Sequence, residues 1–149
     1  MGRLKNPKVV STFCDIAHAR EDAAMATVTV TAETLETIIE ANDLVLLDFW
    51  AEWCGPCRTF GPIFETVSDD FPNAVFGKID TEDQQALAAS FAIQSIPTLM
   101  IIREQIVIFS QAGALPEAAL RDLMTQALAL DMDEVRADIE ANGPDAPEA

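Results

Sequence analysis

The stretch Leu44-Val45-Leu46-Leu47-Asp48-Phe49-Trp50-Ala51-Glu52-Trp53-Cys54-Gly55-Pro56-Cys57-Arg58 decides how this chain is read. Its first seven residues are almost continuously apolar, as in a central strand buried on both faces. The lone acid in that run, Asp48, is out of place there. Beyond the second thiol, Phe60, Ile63, Phe64 and Val67 recur at helical spacing. The spacing predicts a helix that begins near Cys54, with Pro62 expected to kink it.

A dithiol at the start of a helix suits disulfide exchange, which needs one thiolate that attacks and a second thiol that releases the mixed disulfide. Cys54 falls where unpaired amides and the helix dipole stabilise an anion. Cys57, one turn further in, is shielded and held close. Gly55 and Pro56 let the chain enter the helix. The competing reading of a Cys-x-x-Cys pair is a zinc site, which needs four ligands. Cys14 and His18 are the remaining candidates in a chain with three cysteines and one histidine.

Outward from this stretch, Thr27 to Val30 alternates as a strand does. Thr31 is expected to cap a helix carrying Leu35, Ile38 and Ile39, which Asn42-Asp43 breaks. Downstream, residues 74–80 read as a strand and 84–91 as a helix with Leu87, Ala88 and Phe91 inward. Residues 98–102 and 106–109 read as strands joined by the tight turn Arg103-Glu104-Gln105, so they must be antiparallel. Pro116 suits the first turn of a helix whose inward stripe is Leu120, Leu123, Met124, Ala127 and Leu128. Asp131 and Glu134 resemble a capping box for a short extra helix bearing Met132, Val135 and Ile139, ended by Asn142-Gly143-Pro144. The fold class is α/β: a mixed central sheet with helices on both faces. The division is an N-terminal extension over 1–24, expected to be poorly ordered, a domain over 25–130, and the extra helix with an acidic tail over 131–149. Met25 is a candidate natural start of the domain.

Composition narrows the function classes. The chain has 149 residues, half of them hydrophobic, with 9 Lys+Arg against 25 Asp+Glu and a net charge of −16. Such a charge repels nucleic acid and anionic membranes, and no apolar run is long enough to span a bilayer. Three cysteines do not make a secreted disulfide framework. The segment after Arg3, Lys5 and Lys8 is too short and polar for a signal peptide, so a cytoplasmic location is expected.

Asp48 to Arg58 resembles the active-site segment of the thioredoxin family. Ser95-Ile96-Pro97-Thr98 resembles its second signature, and Ala112-Gly113-Ala114 its third; the resemblance covers roughly residues 26 to 130. It implies the thioredoxin fold and a protein disulfide reductase. Cys54 would be the attacking thiol and Cys57 the resolving thiol. Asp48 would be the buried carboxylate that accepts and returns the Cys57 proton, and Lys78 the lysine beside it. It also implies that Pro97 is cis and faces the dithiol. Trp53, Gly55, Pro56, Ile96, Pro97 and Gly113 would receive the substrate, with Trp50 packing against the site. No bound cofactor or metal is implied. Reducing equivalents would come from NADPH through a separate thioredoxin reductase, with disulfide-containing proteins as the other partners and a monomer as the working form. Two alternatives stand beside this: a non-catalytic binding module using the same apolar surface, and a disulfide oxidant or isomerase. The intact dithiol with Asp48 and Lys78 disfavours the binding module as the sole role, and the Gly-Pro dipeptide and the missing signal disfavour the oxidant or isomerase. The turn at 103–105 lacks the family's usual glycine. Cys14 reads as a bystander thiol.

Overall fold

The computed structural model describes residues 26–142. The expectations for the extension, Met25, Cys14 and the tail beyond residue 142 lie outside the described residues. The elements run β1 (Thr27–Thr29), α1 (Leu35–Ala41), β2 (Leu44–Trp50), α2 (Gly55–Ser68), β3 (Val75–Asp80), α3 (Gln85–Ser90), β4 (Thr98–Arg103), β5 (Ile106–Ala112), α4 (Glu117–Ala129) and α5 (Met132–Asn142). The five strands form one sheet in the order β1-β3-β2-β4-β5. Crossovers through helices make β1, β3 and β2 parallel, and β4 and β5 add on antiparallel.

Strand β2 lies at the centre, and its period of two sorts the core. Leu44 and Leu46 face α2 and α4, where Phe60, Phe64, Val67, Leu120 and Met124 close over them. Val45, Leu47 and Phe49 face the other way, into a layer with Val30, Leu35, Ile79 and Ile102 on the α1 and α3 side. Six of the seven β2 residues are buried, which is why the strand shows no polar alternation. Phe64 sits between Phe60 and Phe76, with ring centroids 5.8 and 5.0 Å away.

Several local expectations shift. Helix α1 begins at Leu35, because residues 31–34 are taken up in a turn in which Thr31 O accepts from both Thr34 N and Leu35 N. Strand β5 runs three residues past its predicted end, to Ala112, by pairing with Thr98. Helix α2 continues through Pro62, where the ring leaves the Arg58 carbonyl without its amide partner. Leu128, expected on the inward stripe of α4, is 48% exposed. Leu120, Met124 and Ala127 already fill the face toward the core, and the helix ends just beyond Leu128, at Ala129.

The turn without glycine is clamped from outside. Glu104 and Gln105 take φ of 51° and 71°, left-handed backbone that disfavours ordinary side chains. Glu104 N donates to Asp43 O at 2.7 Å, and Arg136 on α5 pairs with the Glu104 carboxylate. Arg103 donates to the carbonyls of Ala127, Leu128 and Leu130, so the end of α4 is fixed to the same hairpin. Asp131 Oδ1 accepts from Asp133 N and Glu134 N and starts α5, which buries Met132.

Gly77 is demanded by a close approach in β3. A Cβ there would stand 2.5 Å from Val30 Cγ2 and 3.3 Å from Leu47 Cδ2. Val30 is fully buried and its branched side chain is stiff. Gly77→Ala is expected to lower stability by about 1–3 kcal/mol in urea unfolding at unchanged m-value. Wild-type stability in that variant would contradict the packing described.

Candidate active site

The dithiol sits at the C-terminal end of β2, where the central strand delivers the chain to α2. Cys54 and Cys57 are joined in a disulfide with Cα atoms 5.2 Å apart. Cys54 is the N-cap of α2, and its Sγ accepts from Cys57 N at 3.2 Å. The same amide, with the positive end of the helix, is placed to hold a thiolate once the disulfide opens. Both cysteines are buried with Ala51 in a small cluster against which Trp50 and Ile96 pack.

A second loop closes the other side. The Ile96–Pro97 peptide is cis, and Ile96 O lies 3.7 Å from Cys54 Sγ. Gly113, at φ 108°, donates its N–H to Pro97 O at 2.7 Å and ties the end of β5 to that loop. Here Gly55, Pro56 and Gly113 are exposed, Ile96 is half-buried and Pro97 is buried. Trp53 is 66% exposed, the most open large apolar residue among those described. Its Nε1 donates to Glu82 Oε2 at 3.1 Å, which holds the indole out as a platform.

Asp48 lies deeper, within β2. It is 1% exposed, and neither carboxylate oxygen has a hydrogen-bond partner. Burial pushes its carboxyl up to about 7, against the opposing field of Lys78. Lys78, its cross-strand partner on β3, places Nζ 4.0 Å from Asp48 Oδ2. Cys57, Lys78, Trp50 and Gly61 line one cavity of about 250 Å³, together with Arg58 and Glu65. Cys57 and the neighbour of Asp48 thus share a single space.

Sequence reasoning did not single out three contributors. Arg58 fastens the loop before the dithiol by donating Nε and Nη2 to Glu52 O. Glu82 orients Trp53. Gly61 leaves room beside Lys78, since a Cβ there would come 3.4 Å from Nζ. A glycine inside an otherwise good helix was the available signal for Gly61; Glu82 carried none, being 29 residues from its partner. Cys14 and His18, the further ligands of the zinc alternative, lie outside the described residues.

A redox disulfide capping a helix, beside a buried titrating acid, defines a thiol–disulfide oxidoreductase. Residues 26–126 match the family model described as Thioredoxin. The chain is 58% identical over 111 residues to "Putative thioredoxin 2" of Streptomyces coelicolor, covering 74% of this chain and 83% of that protein. It is 39% identical over 93 residues to a thioredoxin of Haemophilus influenzae, covering 61% and 87%. Among solved structures, a mutant thioredoxin from Halobacterium salinarum superposes with a TM-score of 0.61 at 36% identity, covering 65% of this chain and 86% of that one. The chain belongs to the thioredoxin family. Its activity is the family's reduction of disulfides, which needs no bound cofactor.

Proposed function

We infer that the chain reduces protein disulfides with Cys54 as the attacking thiol and Cys57 as the resolving one. The observation that carries this order is the Cys54 Sγ at the helix N-cap, accepting the Cys57 amide. The Cys54 thiolate attacks one sulfur of a target disulfide. A Cys54–target bond forms, and the other target sulfur leaves as a thiolate and takes up a proton. Cys57 then gives its proton to Asp48, whose neighbour Lys78 lines the same cavity as Cys57, and attacks Cys54 Sγ. The Cys54–Cys57 disulfide forms, the target leaves as its second thiolate, and two electrons have passed to it. A carboxyl at about 7 suits both taking and returning that proton near neutral pH.

The receiving surface in this reading is Trp53, Gly55, Pro56, Ile96, Pro97 and Gly113, with an extended target segment laid along the Ile96 backbone. NADPH supplies the electrons through a thioredoxin reductase, in the cytoplasm, to a monomer. The redox unit is residues 25–130, with 1–24 and 131–149 as appendages. Support for these assignments comes from family membership and from the acidic composition. Among the described residues, no helix is long and apolar enough to cross a membrane.

Cys57→Ser tests the order of the thiols. Without a resolving thiol the Cys54 adduct persists, so the variant is expected to accumulate mixed disulfides with target proteins on non-reducing gels. Accumulation by Cys54→Ser instead would reverse the two roles.

A further inference from the structure

Asp48 and Lys78 are paired across β2 and β3, and Trp50 lies two residues beyond Asp48 on the same face. The lysine therefore reaches diagonally over the indole. Nζ stands 5.2 Å from the Trp50 ring centroid, within cation–π range. Its distance of 4.0 Å from Asp48 Oδ2 is too long for a hydrogen bond. Gly61 forms the third side of the seat, across the cavity on α2. Trp50 itself is pinned, because its carbonyl accepts from Thr81 N at 2.8 Å and Thr81 Oγ1 at 3.1 Å.

We propose that Trp50 is a positioning residue whose indole face seats the Lys78 ammonium, so that its field reaches Asp48 without a hydrogen bond between them. An ammonium is strongly hydrated, and Lys78 is 21% exposed, so an unseated side chain would turn toward water. A close hydrogen-bonded pair would lock Asp48 as a carboxylate, whereas loss of the cation would leave it protonated over a wider pH range. The other charged groups here are Arg58 and Glu65 on α2, Glu52 in the loop and Asp80 on β3. Arg58 is engaged with Glu52 O, and Asp80 Oδ1 accepts from Glu82 N. None of them reaches Asp48 as Lys78 does.

The proposal rests on Asp48 as the proton acceptor of Cys57, and its test is independent of turnover. The Asp48 carboxyl is titrated by carbon-13 NMR in the oxidised full-length protein, for wild type, Trp50→Phe, Lys78→Met and the double variant. Trp50→Phe is expected to raise the midpoint by about half a pH unit while Lys78 is present. In the Lys78→Met background the same substitution is expected to cause no rise. An equal shift in both backgrounds, no shift, or a fall overturns the proposal. Trp50→Tyr, with the same expected direction, replaces Trp50→Phe if the latter does not fold. A pH–rate profile of disulfide reduction is read separately. A midpoint that moves as expected with an unmoved rate profile would sink Asp48 as proton acceptor and leave the seat standing.

Discussion

Cys54→Ser is expected to abolish disulfide reduction, lowering the rate at least about 10³-fold. The loss is this large because no other group can replace the nucleophile. Of the chain's three cysteines, Cys57 is set one turn inside α2 and Cys14 lies outside the family-matched segment. The helix N-cap that stabilises the thiolate serves Sγ at position 54 alone. A serine oxygen at the cap can still accept the Cys57 amide, so the fold should persist and the loss should be chemical. The measurement is turbidity of reduced insulin with a thioredoxin reductase and NADPH, with circular dichroism to check folding. Wild-type turnover in the variant would remove Cys54 from the reaction.

The second large effect is in pH-dependent stability. The folded protein holds the Asp48 proton up to about 7, whereas the ordinary carboxyl value is 3.8. Between these values the native state binds a proton that the unfolded chain has lost, so stability falls as pH rises through this window. Below it both states are protonated, and above it both are ionised, with the full penalty of a buried charge in place. A shift of this size corresponds to roughly 4 kcal/mol. Asp48→Asn, which cannot ionise, is expected to match wild type near the acid end of the window. Above about pH 7.5 it should be more stable by roughly 4 kcal/mol, or about 8–16 °C in Tm. The same variant should resolve mixed disulfides more slowly, since Cys57 loses its proton acceptor. Urea unfolding of the oxidised protein across the window checks the first claim. A parallel pH dependence in wild type and variant would show that Asp48 ionises as an ordinary carboxyl.

The site was legible where neighbours in sequence are neighbours in space. Cys54 and Cys57 are three residues apart at a helix start, and Asp48 is conspicuous because six apolar residues surround it. Helix and strand types followed from periods of 3.6 and 2 over short windows. Lengths failed where a partner strand set them, as β5 shows by extending to pair with Thr98. Leu128 satisfied the helical period yet stayed outside, because a period counts positions on a face without knowing how wide the opposing core is.

The sequence by itself determined the chemistry: two thiols, the helix that orders them, an acid in a buried strand, and the α/β class. These depend on local pattern and on burial, both written in adjacent residues. Only the tertiary structure decided how that chemistry is tuned. Lys78 meets Trp50 across 28 residues because β3 docks against β2 in one register. Glu82 meets Trp53, and Ile96 meets Cys54, because the loops at one end of the sheet converge. Strand pairing fixes such distances through hydrogen-bond register and packing between distant segments. No window of sequence contains both partners of a contact made that way.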